Sequence, residues 1–389
     1  MPAVLGLDVG TTTVKAVVIG EDGRRKAVGV SAPIPLLSVG PGHAEQDPEA
    51  IWEAVGQALR EAGSAAHDID AVAVAAQSGS LVALGPDGLP LGRLITWMDR
   101  RAEVIVEEWQ RSGTAEVIRA ISGWSAAPGL GLPLIAWMAR FEPDTFAAAR
   151  NFAGAGDLIT HRLTGLWTTN PSNAAGLQLI DLKSAQWSAE LCALAGINPD
   201  QLSSICSSGE IIGRLSREAA AATSLPEGIA VVNGGHDQTC AAFGLGITEP
   251  GQVMVGGGTA WVVTAATDKA WAPPHLSINH HVVLGRFTVS KALGYLGAEV
   301  EEKAGPAIRA VLEEPAITGV AGDLTIVATG GFMQDPDVPQ MLADLTGFPI
   351  RVPVGDAWPA MGAARLAGSS TGLVAPEKMG VEFRQVVPQ

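Results

Sequence analysis

Three cysteines in 389 residues, Cys192, Cys206 and Cys240, show no CxxC spacing. That excludes a disulfide framework and a cysteine zinc site, and it predicts reduced thiols in a cytoplasmic protein. Basic residues are scarce: 25 Lys and Arg against 40 Asp and Glu leave a net charge of −15. Phosphate backbones need a basic face, so a nucleic-acid partner is excluded. Long uncharged apolar runs are missing as well. The opening run, Val4–Val9, contains Asp8 and is too short for a signal peptide or a membrane span, so no membrane partner is expected. The chain also lacks GxxxxGK[ST], so it has no P-loop.

What is there is apolar and finely divided. Residues of apolar type make up 47% and charged ones 17%, enough for buried cores and wrong for a disordered chain. Short apolar runs at Val4–Val9, Val14–Ile19, Ala71–Ala76, Leu81–Leu84, Ile229–Val232, Gln252–Val255, Trp261–Ala265 and Leu324–Ala328 predict strands. Asp47 followed by Pro48 predicts the start of a helix running to Ala62. Helices are also expected near 101–111, 132–141, 238–243, 338–346 and 355–368. Mixed strands and helices in both halves give an α/β class. VLGLDVGTTTVKAVVI and GQVMVGGGTAWVVTAA share one design, an apolar strand, a Gly-Thr turn and a second apolar strand. This supports two duplicated domains, 1–246 and 247–389, parted at the Gly/Pro-containing segment Gly246–Gly251.

Several constellations could carry chemistry. In Asp8-Val9-Gly10-Thr11-Thr12-Thr13-Val14-Lys15 the Gly10 turn could present backbone N–H groups and threonine hydroxyls to an anion, with Lys15 adding positive charge. Asp8, at a strand end, could hold hydrated Mg²⁺. The plainer reading is a hairpin with capping threonines. Gly256-Gly257-Gly258-Thr259 is a second such turn, and two facing turns could grip one chain of phosphates. In Gly234-Gly235-His236-Asp237 the carboxylate would open a helix beyond a strand end, where ligands bind in α/β sheets. There Asp237 could accept a hydroxyl proton as that oxygen attacks phosphorus, or simply cap the helix. His236 could orient Asp237 or be simply a satisfied buried histidine, the second reading being slightly favoured. Thr329-Gly330-Gly331 permits close approach of a planar ring or a ribose, or serves helix–strand packing; Trp97 with Asp99, Arg100 and Arg101 suits a sugar's faces and hydroxyls, or is a core Trp beside a solvated charge cluster. Gln77-Ser78-Gly79-Ser80 offers small polar contacts.

The order of these motifs resembles the FGGY family of carbohydrate kinases, which includes xylulokinases, gluconokinases and glycerol kinases. LGLDVGTTTVKAVVI resembles the family's first phosphate motif, and VMVGGGTAWVV its second. SGSLVALGPDGLPLGRLITWMDRRA resembles the sugar-site segment, NGGHDQTCAAFGLG the segment carrying the base, and ATGGFMQDPDVPQMLADLTGFPIRVP the adenosine end. The resemblance implies two ribonuclease-H-like domains of the actin and hexokinase type, MgATP as donor and a sugar or polyol as acceptor, with a xylulose-like ketose favoured. By matching position it gives Asp237 the base role, Asp8 the metal role, and Thr11, Thr12 and Thr259 the phosphate role. Gly330 and Gly331 fall at the adenosine, Trp97 and Gln238 at the sugar. A homodimer is compatible with it.

The chain departs from the family in three places. Glycerol kinases carry Arg-Glu and xylulokinases Met-His where Ser78-Gly79 stands here, which implies a roomier or differently shaped pocket. Gly129 stands where glycerol kinases have a tyrosine. Between Ala292 and Asp323 the second domain is shorter than in typical members. That shortening keeps a second expectation open, a kinase-derived regulator that binds sugar or nucleotide without turnover. The third, an actin-like ATPase without a sugar, would need a client or polymer surface.

Overall fold

The computed structural model describes residues 2–64, 68–257, 261–294, 305–306, 308–309, 312–314, 324–375 and 378–389. Two sheets dominate it. The first is built from β1 (Ala3–Val9), β2 (Val14–Gly20), β3 (Arg25–Val30), β4 (Ile69–Ala76), β5 (Ile211–Arg214) and β6 (Ala230–His236), in the order β5-β6-β4-β1-β2-β3. The second is built from β7 (Gln252–Gly257), β8 (Trp261–Thr267), β9 (Ser277–His280), β10 (Phe287–Gly294), β11 (Thr325–Thr329), β12 (Ile350–Pro353) and β13 (Phe383–Val386), in the order β9-β10-β8-β7-β11-β12-β13. In each, an antiparallel hairpin lends its first strand to a parallel neighbour: β1 pairs with β2 and β4, and β7 pairs with β8 and β11. The similarity of the two sequence segments is therefore a similarity of sheet topology.

Continuous apolar strands arise because both faces of the sheets are covered. Leu5, Leu7 and Val9 of β1 face a core shared with helix α1 (Pro48–Gly63). That helix starts where predicted: Asp47 Oδ1 accepts from the N–H of Glu49 at 3.0 Å. Val4 of β1 faces the opposite core, shared with α3 (Asp237–Gly244) and α4 (Trp358–Thr371), after α2 (Thr114–Ser122) in chain order. Met254, Ala266 and Val327 of the second sheet enter this same core. The small residues of α3 and α4, among them Cys240, Ala241, Ala360, Ala363 and Ala364, let the two helices lie between the sheets. A cut at 246/247 separates the strands of the two sheets but not this core, because α4 returns to pack on β1, β4 and β6. A helix-rich region with a four-stranded sheet of Glu45–Gln46, Leu81–Leu84, Leu94–Ile95 and Asn151–Gly154 is attached to the first lobe.

Two expectations need correction. The strand expected over Ile229–Val232 is longer: β6 continues through Asn233-Gly234-Gly235 to His236, with a bulge between Asn233 and Gly235 against β4. The side chain of Asn233 makes this possible by donating to the carbonyls of Thr169 and Cys206, both at 2.9 Å. The last helix begins at Trp358 rather than Gly355, since Ala357 is left-handed at φ 57° and Pro359 sits in the first turn. The stretch expected to be shorter than in typical members, between Ala292 and Asp323, lies largely outside the described residues. Among the described residues no helix is long and apolar enough to cross a membrane.

Candidate active site

A cavity of about 680 Å³ opens between the sheets. Strand ends and their turns build it, as the crossover topology of α/β sheets requires. The first lobe contributes Asp8, Thr11, Lys15, Gln77, Ser78, Trp97, His236 and Asp237; the second contributes Gly256, Gly257, Thr329, Gly330 and Gly331. Gln238 lines it too. Gly258 and Thr259 lie outside the described residues, so the second predicted turn is seen only up to Gly257.

Asp237 is the first residue of α3, where the helix N-terminus favours an anion. Its Oδ1 accepts from the N–H of Gln238 at 2.6 Å and lies 3.0 Å from His236 Nε2. Among the described residues Oδ2 has no hydrogen-bond partner. Of the two readings of His236, this geometry favours the one in which it orients Asp237. The reason is tertiary: its ring is held by Asn279 of β9 and flanked by Trp124, and neither adjacency is visible in sequence.

Asp8 sits opposite Lys15 in the β1–β2 register. Its Oδ1 is enclosed and without a partner among the described residues. Burial, then the nearby charge of Asp237, push its carboxyl up to about 8, while Lys15 pulls the other way. Two carboxyl groups concentrated in a cavity, one of them orphaned, fit a divalent cation. No cluster of three His, Cys, Asp or Glu among the described residues could hold a metal alone. Mg²⁺ suits such a site, because it takes one or two carboxylates and completes its shell with water and phosphate oxygens.

The polar residues near Trp97 form a connected set. Trp97 Nε1 donates to Thr11 Oγ1 at 2.9 Å, and Thr11 Oγ1 donates to Gln77 Oε1 at 3.0 Å. Gln77 Nε2 donates to Gln46 Oε1 at 3.1 Å, and Ser80 Oγ donates to Gln77 Oε1 at 3.0 Å. The hydroxyl of Thr11 is therefore committed to Trp97 and Gln77, which leaves it little to offer a phosphate. Thr12 is exposed and does not line the cavity, and neither does Gly10, which has no left-handed φ. The phosphate reading of this turn rests on backbone and Lys15 rather than on threonine hydroxyls.

At residues 78 and 79 the pocket is differently shaped rather than roomier. Ser78 Oγ donates to the carbonyl of Asn173 at 3.2 Å, and a Cβ on Gly79 would come within 2.7 Å of Leu130 Cδ2. Leu130 and Trp97 occupy the volume instead. Gly129 is no vacated tyrosine pocket, since a Cβ there would meet the Trp97 carbonyl oxygen at 1.9 Å. On the second lobe, Gly330 has φ 109°, a conformation that residues with a side chain rarely adopt, and a Cβ there would meet the Gly257 carbonyl oxygen at 2.1 Å. Beside Gly331 there is open space. Asn279, Trp124 and Ser172 were missed by sequence reasoning; only Trp124, an aromatic in a Gly-Trp-Ser segment, carried any signal.

The pattern describing the FGGY family of carbohydrate kinases, N-terminal domain, matches residues 3–244. The autoinducer-2 kinase of Yersinia enterocolitica is 31% identical over 294 residues, covering 72% of this chain and 55% of that protein. The xylulose kinase of Bacillus subtilis is 31% identical over 274 residues, covering 69% and 54%. The chain spans about half the length of the curated relatives it matches. Among solved structures, the ligand-bound xylulose kinase of Lactobacillus acidophilus superposes with a TM-score of 0.91 at 20% identity, over 100% of this chain and 94% of that one. The ADP-bound glycerol kinase of Plasmodium falciparum gives 0.90 at 15% identity, with the same coverages. These likenesses show the fold, the two-lobed actin and hexokinase type.

Proposed function

Since the chain belongs to the FGGY family of carbohydrate kinases, we propose that it transfers the γ-phosphate of ATP to a hydroxyl of a sugar or polyol, with Asp237 as the general base. A ketose such as xylulose is the favoured acceptor. Autoinducer-2 is the second acceptor to test, because relatives 31% identical carry that name. The observation that carries the proposal is the carboxylate of Asp237: it faces the inter-lobe cavity, with Oδ1 tied to Gln238 N and His236 and Oδ2 left open.

The residues divide the work as follows. Trp97, Gln77, Ser78 and Gln238 orient the acceptor on the first lobe. Asp237 Oδ2 takes the proton of the acceptor hydroxyl. That oxygen bonds to the γ-phosphorus as the bond from phosphorus to the β,γ-bridging oxygen breaks, and ADP leaves. Asp8 would hold Mg²⁺, which when bound supplies charge neutralisation to the phosphate oxygens. Lys15, the backbone at Thr11 and the glycines Gly256 and Gly257 would meet the phosphates, and Gly330 and Gly331 the adenosine. This reading gives 1–246 to the acceptor lobe and 247–389 to the nucleotide lobe. It includes a cytoplasmic setting, in keeping with the unpaired Cys192, Cys206 and Cys240.

The test is ADP release with MgATP over a panel of ketoses, aldonates, polyols and autoinducer-2. One acceptor should stand out, and Asp237→Ala should lower kcat at least about a hundredfold, within the usual range of general-base help. A flat panel with nucleotide binding intact would favour the regulator. ADP release without any acceptor would favour the ATPase.

A further inference from the structure

Asn279 lies on β9, in the second sheet, yet its side chain reaches the end of the first. Nδ2 donates to the carbonyl oxygen of Ser172 at 3.0 Å and faces His236 Nδ1 at 3.5 Å. A carbonyl oxygen only accepts, so the atom facing Ser172 is the amide nitrogen. An amide nitrogen only donates, so the ring nitrogen facing it accepts. The imidazole proton is then on Nε2, the atom 3.0 Å from Asp237 Oδ1. Ser172 holds the same group from the other side. Its hydroxyl accepts from the N–H of His236 at 2.9 Å and donates to Asn170 Oδ1 at 2.7 Å. The ring of Trp124, 6.4 Å away between centroids, flanks the imidazole. Asn279 itself is buried.

We infer that Asn279 is a positioning residue: from the second lobe it holds His236 in the Nε2-protonated tautomer, and His236 in turn keeps Asp237 turned with Oδ2 toward the acceptor. In the opposite tautomer Nε2 would present a lone pair to a carboxylate oxygen. The two would repel, and Asp237 would rotate away from its working pose. The base is presented only while β9 is docked against the helix Pro171–Gly176 that carries Ser172. The second lobe thereby reaches the acceptor chemistry through two side chains. The inference rests on Asp237 being the base.

The experiment is nitrogen NMR of histidine-labelled protein, with the His236 signals identified by their loss in His236→Gln, together with steady-state kinetics. The wild type should show His236 protonated at Nε2. Asn279→Asp is nearly isosteric but sets an acceptor against Nδ1, so it should draw the proton there. It should lower kcat about ten- to hundredfold, a part of the full general-base contribution, while KM for MgATP stays within about twofold. Asn279→Leu, which offers neither donor nor acceptor, should give an intermediate loss with the same split. A merely structural asparagine would change both constants or neither. A wild-type His236 protonated at Nδ1 overturns the inference, as does unchanged kcat in either folded variant. The spectrum of the wild type needs no turnover, so it judges Asn279 even if neither variant folds or no acceptor reacts. Asp237→Ala judges the base separately.

Discussion

Replacing Asp8 by Asn should stabilise the protein relative to wild type as pH rises, while abolishing the proposed phosphoryl transfer. The carboxyl of Asp8 is pushed from 3.8 to about 8, first by burial and then by Asp237. The sign follows from proton counting. Between about pH 4 and 8 the folded chain keeps this proton and the unfolded chain has lost it, so unfolding releases a proton and stability falls as pH rises. Below the unfolded value the effect vanishes; above the folded value the whole loss is in place. One bound proton gives a slope of at most ~1.4 kcal/mol per pH unit, hence a ceiling of ~2.7 kcal/mol from pH 5 to pH 7. Asp8 borders a cavity that admits water, which lowers the expected figure to ~1–2 kcal/mol. Asn at this position has no such proton to release. The assay is thermal melting of wild type and Asp8→Asn from pH 5 to pH 8. The difference in Tm should widen in favour of the variant by roughly 2–4 °C between pH 5 and pH 7. Mg²⁺ with ADP should narrow it, since a bound cation stabilises the ionised wild-type carboxylate. Parallel curves over the whole range would refute the reasoning, and would mean that Asp8 is ionised without penalty in the free protein.

Two further outcomes test the frame around the site. Gly330→Ala forces a side chain into φ 109° and against the Gly257 carbonyl, 2.1 Å from the new Cβ, so ADP affinity measured by calorimetry should drop about tenfold or more; unchanged affinity would remove this turn from the nucleotide site. Arg119, on α2, donates to the carbonyls of Ala272, Pro273 and Leu276 just ahead of β9. Arg119→Met strands those acceptors and should cost about 1–3 kcal/mol in chemical denaturation, with an unaltered midpoint counting against the anchor.

The sequence by itself determined the elements and their class. Each strand of β1, β2, β4 and β7 is a short apolar run, because a strand covered on both faces has no polar alternation to lose. Asp47-Pro48 marked a helix start through local capping chemistry, which needs no distant partner. The order of Gly-Thr turns and the Asp at the head of α3 pointed to a cleft, since those residues act through backbone geometry encoded within a few positions. Tertiary structure alone decided the rest. That Thr11 serves Trp97 and Gln77, residues 66 positions or more away, depends on how the sheet brings them together. That Leu130 fills the space over Gly79 could not be read from the smallness of Gly79. That α4 returns from the far end of the chain to the core of the first sheet is a matter of packing, not of propensity. Asn279 carried no motif, because a hydrogen bond that joins two lobes leaves no spacing in sequence. Local physics writes helices, strands and turns into neighbouring residues; which side chains meet in the cavity is settled only when distant surfaces are buried together.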